Sequence, residues 1–273
     1  MSHLLKDKRI ALLGLGKMGG ILVEAFLEKK LVSPDQLRCT VRHEDRAHRL
    51  GERFGIEVTT DNVAACHEAD LILLGLKPRT VSEVCRQIEP VVGEDQLVVS
   101  FAASVPTALI EETLGRVPVV RAMPNTPCVL GFGMTGLCRG RFARDEHLAL
   151  TEHLFEAVGR TVCVDERQMD AVTGLSASGP AFLYVILESL AEAGVKVGLE
   201  RETATLLAAQ TALGASQMVL QTGDHPALLK DAVTTPAGCT IDGLLELEEG
   251  KLRVTLIKAV VKAAERARQL VEG

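Results

Sequence analysis

Arg9-Ile10-Ala11-Leu12-Leu13-Gly14-Leu15-Gly16-Lys17-Met18-Gly19-Gly20 is an apolar run that breaks into glycines at positions 14, 16 and 19. The spacing is G-x-G-x-x-G, with a strand-like run before it and Ile21, Leu22, Ala25 and Phe26 at helical spacing after it. Each glycine has a physical task. Gly14 permits the tight turn out of the strand, Gly16 lets backbone approach a pyrophosphate, and Gly19 lets helix pack against strand. A diphosphate would sit on the helix N-terminus, where unpaired N–H groups and the dipole favour an anion.

Outward from this stretch, residues 1–164 alternate short β-rich runs with amphipathic stretches, which predicts an α/β unit with a parallel sheet flanked by helices. Strands are expected at Ile10–Leu13, Leu37–Val41, Ile56–Val58, Leu71–Leu74, Leu97–Phe101, Val119–Ala122, Met134–Leu137 and Thr161–Val164. Helices are expected at Gly20–Lys30, Asp45–Phe54, Val63–Ala69, Thr80–Val91, Pro106–Leu114 and Asp145–Val158. From residue 165 the β-branched runs give way to Ala- and Leu-rich stretches at Ser178–Ala193, Glu200–Gln221, Ile241–Glu248 and Val254–Val271. That predicts an all-helical second domain over 165–273. Its second helix carries Leu206, Leu207, Leu213, Met218 and Val219 among alanines and glycine, apolar around much of its circumference, which suggests a subunit interface.

Composition narrows the class. A chain of 273 residues can bury a sizeable core. A formal charge of -6 without long blocks of like charge argues against nucleic acid or an anionic membrane as a main partner. Seven cysteines (39, 66, 85, 128, 138, 163 and 239) lack any C-x-x-C spacing and read as small buried apolar residues in a reducing cytosol. The N-terminus carries no signal-like apolar segment, and Ala181–Leu190, interrupted by Glu188, falls short of the roughly 20 residues that span a bilayer. The expectation is a soluble cytoplasmic protein. The histidines named by position (43, 48, 67, 147, 153 and 225) lie in polar contexts without metal-ligand spacing, so they read as surface residues and no metal site is expected.

After the second strand come Arg42-His43-Glu44-Asp45-Arg46. At this place an acidic side chain bonds a ribose 2′-hydroxyl, whereas Arg accommodates a 2′-phosphate. The basic residues lead, favouring NADPH over NADH, while Glu44 and Asp45 suit a helix start and a solvated charge run is the alternative for Arg42 and Arg46. Gly75-Leu76-Lys77-Pro78 and Ala102-Ala103-Ser104 follow two further strands and should line the same crevice, as should the proline-stiffened loop Met123-Pro124-Asn125-Thr126-Pro127. In the second domain, Asp231 through Thr240 forms a loop with hydroxyls at 234, 235 and 240. It suits a small carboxylate, or alternatively makes Thr240 a plain N-cap.

Several of these stretches together resemble the pyrroline-5-carboxylate reductase family over nearly the whole chain: Gly14–Gly19, Leu76-Lys77-Pro78, residues 99–103, Arg121 through Pro127, Asp170 through Ala181, residues 194–198, and Leu229 through Thr240 with Leu244 and Glu246. The resemblance implies an N-terminal Rossmann domain and a C-terminal helical domain that interlocks into a dimer, often assembled into decamers. It implies NADPH or NADH as reductant, held by Leu13, Gly14, Leu15, Gly16, Lys17, Met18, Val41, Arg42, Asn62, Gly75, Leu76, Lys77, Pro78, Phe101, Ala102 and Ala103. Substrate contacts fall on Glu166, Val233, Thr234, Thr235, Gly238, Cys239 and Thr240. The implied reaction is hydride transfer to the C=N bond of 1-pyrroline-5-carboxylate, giving L-proline, with the Thr240 hydroxyl orienting the ring nitrogen.

Three residues depart from the family pattern. Ala177 and Ala237 stand where glycine is usual, and Gly131 where an acidic residue is common. Alanine forced to positive φ at 177 or 237 would cost about 1 kcal/mol. Two rivals remain: a β-hydroxyacid dehydrogenase, whose chemistry needs a lysine that the stretch Gly179–Gly194 lacks, and a cofactor-binding regulatory module without turnover.

Overall fold

The computed structural model describes residues 4–269. Eight strands form one sheet: β1 (Ile10–Leu13), β2 (Leu37–Thr40), β3 (Glu57–Thr59), β4 (Leu71–Leu74), β5 (Leu97–Ser100), β6 (Val119–Met123), β7 (Gly133–Arg139) and β8 (Gly159–Cys163), in the order β3-β2-β1-β4-β5-β6-β7-β8. Every strand expected from sequence is present within a few residues. The sheet is not wholly parallel, however: β6 and β7 run antiparallel, with Ala122 opposite Leu137. Residues 124–132 are too few for the crossover of a dozen or more residues that a parallel neighbour requires.

Helices α1 (Lys17–Glu28), α2 (Glu44–Phe54), α3 (Asn62–Cys66), α4 (Pro78–Ile88), α5 (Thr107–Leu114) and α6 (Asp145–Phe155) connect the strands. The central strands are buried along their whole length because helices cover both faces. Neighbouring residues part to opposite sides: Leu12, Leu73 and Val99 pack with Phe26 and Phe155, whereas Leu13, Ile72 and Val98 pack with Val81 and Ile110. That is the period of two expected of a pleated strand. The strand order reverses at β1, which lies between β2 and β4, so the crevice beyond the carboxyl ends of these strands is where a ligand of this fold would bind.

The helical region differs from expectation at two places. Residues 166–177, read as connection, are helical: a turn at Glu166–Gln168, α7 (Met169–Val172) and a π-turn at Thr173–Ala177. They run into α8 (Gly179–Lys196), so Glu166–Lys196 is, by length and composition, long and apolar enough to cross a membrane, contrary to the reading of Ala181–Leu190 alone. α9 (Arg201–Thr222) follows, and then an unexpected short helix, α10 (Pro226–Ala232), started by Pro226 and capped by His225 Nδ1 accepting from the Ala227 N–H. α11 (Cys239–Glu249) and α12 (Leu252–Gln269) complete the chain, and the expected helix end at Val271 lies outside the described residues.

Two compact units result, divided differently from the boundary expected at 164/165. One comprises residues 4–177 with 263–269, the other 178–262. In the second, only Ala191, Ala204 and Ala208 are buried, while Leu183, Tyr184, Val185, Leu190, Leu206, Leu207 and Leu213 stand exposed. Gly194 brings α8 against α9 so closely that an added Cβ would lie 2.8 Å from Ala204 Cβ. An apolar face this extensive marks an interaction surface.

Five cysteines are buried as expected, but Cys163 and Cys239 are exposed. Burial pushes the Cys39, Cys66 and Cys138 thiols up to about 12. His147 and His153 are not surface residues; they sit at 15% and 17% side-chain exposure. His147 Nδ1 accepts from the Arg144 N–H at the start of α6, and burial followed by the Arg144 charge holds its pKa below the usual imidazole value. Among the described residues no group of three or more His, Cys, Asp or Glu is placed to hold a metal.

Candidate active site

The crevice floor is made of glycine. Gly14 leaves β1 at φ +91°, and a Cβ there would lie 2.7 Å from the Gly75 carbonyl oxygen. Gly75 is as closely enclosed, since a Cβ on it would meet Phe101 Cζ at 2.7 Å and the Gly14 oxygen at 2.8 Å. Phe101 packs edge-on against Phe155, with ring centroids 6.5 Å apart. Gly19 would place a Cβ 3.0 Å from Leu12 Cδ2, the close helix-to-strand approach that the spacing predicts. Gly16 is different: its nearest neighbour would be the Gly14 oxygen at 3.9 Å. No protein atom demands glycine there, so the space suits the approach of a phosphate.

Hydrogen bonds fix the turn. The Gly14 and Leu15 N–H groups donate to the Thr40 carbonyl at 3.2 and 2.8 Å, and the Gly16 N–H donates to the Gly14 oxygen at 2.7 Å. The helical ladder then begins with Gly20 N–H on the Gly16 oxygen, and no side chain caps the helix. The first-turn N–H groups at Lys17, Met18 and Gly19 therefore have no intrahelical acceptor and can serve an anion. The Thr40 hydroxyl donates to Asn62 Oδ1 at 2.7 Å, and Asn62 Nδ2 donates to Gln87 Oε1 at 3.0 Å, so the Asn62 amide is oriented from both ends.

The basic run after β2 divides. Arg42 is exposed and makes no ion pair with any described residue. Arg46 is not a free solvated charge, because its Nη2 donates to the Leu15 carbonyl at 3.0 Å. Glu44 and Asp45 occupy the first turn of α2, where acidic side chains suit the dipole, and Glu44 accepts from the Thr60 hydroxyl. Lys77 precedes α4, with Pro78 as its first residue, and the Lys77 carbonyl accepts from the Thr80 hydroxyl. Ala102 is buried, and Ser104 beyond it has φ +60° with its hydroxyl unpartnered among the described residues. In the proline-stiffened loop, Asn125 Nδ2 donates to the Ser176 carbonyl at 3.1 Å while its Oδ1 accepts from the Met134 N–H at 2.9 Å. That anchors the loop at both ends.

Glu166, expected as a substrate contact, has a structural task of its own. Its Oε1 accepts from the Thr107 N–H and its Oε2 from the Thr107 hydroxyl, both at 2.7 Å, so it caps α5. Arg121, 5% exposed, pairs with Glu166 at 3.5 Å and Asp170 at 4.0 Å, and Arg268 reaches Asp170 at 3.6 Å. Arg121 and Asn125 lie in stretches that the sequence marked, but neither was given a role there, since only the fold shows them buried.

In the helical unit, the loop from Val233 ends in a turn from Thr235 to Gly238, closed by the Gly238 N–H on the Thr235 oxygen at 3.1 Å. Pro236 and Ala237 are its central residues, and Ala237 has φ +57°. Ala177, by contrast, lies in the π-turn and has no positive φ. Gly131 has φ +74°, a conformation that favours glycine over the family's acidic residue. Thr234 Oγ1 is tied to the Lys230 carbonyl at 2.8 Å. Thr240 is not the N-cap, which is Gly238, and its hydroxyl makes no hydrogen bond with the described residues. Cys239 and Thr240 open α11 without a side-chain cap, a start suited to a carboxylate, although Asp242 in the same turn weakens that field.

Comparison with known proteins accounts for both units. The family model for pyrroline-5-carboxylate reductase dimerisation matches residues 166–270, and that for the NADP oxidoreductase, coenzyme F420-dependent, matches residues 9–104. A Methanosarcina acetivorans pyrroline-5-carboxylate reductase is 40% identical over 97% of this chain and 99% of its own length, and an Arabidopsis thaliana one 38% identical over 97% and 96%. Among solved structures, a pyrroline-5-carboxylate reductase from Coxiella burnetii superposes with TM-score 0.90 at 36% identity, covering 97% of this chain and 99% of that one. One from Plasmodium falciparum with NADP bound superposes with TM-score 0.86 at 27% identity, with the same coverage. The dehydrogenase alternative falls away, and the exposed apolar face of α8 and α9 is explained by self-association. With both units matched and relatives of up to 40% identity aligned over nearly the whole chain, the chain belongs to the pyrroline-5-carboxylate reductase family.

Proposed function

We propose that this protein reduces 1-pyrroline-5-carboxylate to L-proline, with NADPH as its preferred reductant and Thr240 and its loop as the substrate contacts. Full-length similarity to reductases of that name carries the overall reaction, and the unpartnered Thr240 hydroxyl at the uncapped start of α11 carries the site. A reduced nicotinamide supplies hydride to the imine carbon. The C=N π bond opens, a C–H bond forms, and the nitrogen keeps its proton as the secondary amine of proline. A protonated imine is already a good acceptor, so the residues have chiefly to hold it in register. The Thr240 hydroxyl accepts from the ring N–H and fixes its direction, while backbone N–H groups at Gly238–Thr240 receive the carboxylate.

Preference for the 2′-phosphorylated cofactor is supported by Arg42, exposed, unpaired among the described residues and placed directly after the second strand. The free thiols at all seven cysteines support a reducing, cytoplasmic setting. The family resemblance supports dimers assembling further into decamers.

Loss of reduced-nicotinamide absorbance on adding 1-pyrroline-5-carboxylate tests the activity, and binding of NADPH without oxidation would leave a regulatory module instead. Thr240→Ala should lower kcat/KM about tenfold or more with NADPH affinity unchanged. An unaltered rate removes Thr240 from the mechanism. Arg42→Ala should raise the KM for NADPH and leave that for NADH in place.

A further inference from the structure

Two arginines stand near the phosphate turn, and the structure gives them different surroundings. Both are exposed, but Arg42 is free of ion pairs among the described residues, whereas Arg46, in the first turn of α2, bonds the Leu15 carbonyl at 3.0 Å. Leu15 and Gly16 share one peptide plane. Its nitrogen side is held by Gly16 N–H on the Gly14 oxygen at 2.7 Å, and its oxygen side by Arg46. That plane immediately precedes the uncapped N–H groups of Lys17, Met18 and Gly19. A Cβ on Gly16 would meet nothing closer than the Gly14 oxygen at 3.9 Å, so no side-chain packing orients this residue and its backbone is held by hydrogen bonds alone. Glycine has more backbone freedom than any other residue, so the hydrogen bonds that pin the plane before it help to fix the direction of the following N–H groups. Arg46 also lines, with Leu15, Gly16 and Lys17, a cavity of about 390 Å³ beside the turn.

We propose that Arg46 is a positioning residue for the pyrophosphate, holding the Leu15–Gly16 peptide so that the N–H groups at the start of α1 converge on the bridging phosphates, and that it takes no part in choosing between NADPH and NADH. Discrimination is left to Arg42. The proposal rests on the nucleotide reading given above. It assigns the two arginines to separate phosphates of one cofactor.

Two fragments of the cofactor separate the tasks. ADP carries the pyrophosphate without a 2′-phosphate, and 2′-AMP carries the 2′-phosphate without a pyrophosphate. Calorimetric titration of the whole protein with each, for wild type, Arg46→Met, Arg46→Gln and Arg42→Met, is the experiment, with circular dichroism melting to verify folding. Arg46→Met should weaken ADP about tenfold, the equivalent of one charge-assisted hydrogen bond, and change 2′-AMP less than ADP. Arg46→Gln, neutral but still a donor to the Leu15 carbonyl, should bind ADP tighter than Arg46→Met. Arg42→Met should show the reverse pattern, losing 2′-AMP and keeping ADP. The proposal is overturned if Arg46→Met weakens 2′-AMP as much as ADP, if neither probe is affected, or if Gln and Met lose ADP equally, which would make Arg46 a direct charge on the ligand. A wild-type protein binding neither probe would instead refute the nucleotide reading itself.

Discussion

Ala237→Gly should stabilise the protein, while Ala177→Gly, made at the other alanine that replaces a family glycine, should destabilise it. Ala237 is the third residue of the turn Thr235–Gly238 and stands at φ +57° after Pro236, where glycine is favoured. A left-handed alanine costs about 1–2 kcal/mol, and glycine gives back about 0.5–1 kcal/mol through its extra freedom when unfolded, leaving a net gain of about 0.5–1 kcal/mol. In a chain of this size that corresponds to a rise in Tm of about 2 °C. Ala177 lies in the helical π-turn and packs with Met123, Cys138 and Met169. Glycine there relieves nothing and adds the entropic penalty, a loss of about 0.5–1 kcal/mol. Urea unfolding followed by circular dichroism reads both, with midpoints compared at unchanged slope. If the two variants shift the midpoint in the same direction, the argument from backbone conformation is wrong.

Gly75→Ala should abolish nucleotide binding, because its Cβ would overlap Phe101 and the Gly14 oxygen at 2.7 and 2.8 Å; calorimetric titration with NADPH checks it, and retained affinity would mean that the crevice floor can yield. Arg121→Met should cost about 3–5 kcal/mol in denaturant unfolding, since it leaves the Glu166 and Asp170 carboxylates without their buried cation. A loss under about 1 kcal/mol would mark the pair as surface-like. His147 has a native pKa held below its unfolded value, so the unfolded chain binds the proton more readily and stability falls as pH drops through 6.5 toward the native value. His147→Gln, which keeps an acceptor for the Arg144 N–H, should flatten that slope just below pH 6.5 in pH-dependent unfolding; an unchanged slope would assign it to other groups.

The centre of the sheet was legible because β1 and β4 are short apolar runs closed by glycine, as at Leu71–Leu74 before Gly75. The antiparallel β7 was legible in principle too, from the short connection at 124–132, but the βα rhythm on either side concealed it. The helical segment at 166–177 carried a signature of its own: Asp165 and Gln168 form a capping box, with Asp165 accepting from the Arg167 N–H. In the crevice, Gly14 and Gly19 declared themselves because a turn and a close helix-to-strand approach restrict the residue type there. Arg46 did not, since its bond to Leu15 spans 31 residues of sequence and only the pairing of β1 with β2 brings the two together. The cap that Glu166 makes was hidden for a similar reason: nothing local announces that its carboxylate closes the N-terminus of a helix that begins at Thr107.

The nucleotide-binding unit is not continuous along the chain, for residues 263–269 return to it after 178–262 have formed the other unit, and Ala267 is buried there beside the Arg268–Asp170 pair. A ribosome thus releases most of the dinucleotide fold well before it supplies the piece that completes it. Until residues 263–269 are made, Asp170 lacks its Arg268 neighbour, so the first unit receives its last segment only after the whole of the other has been synthesised.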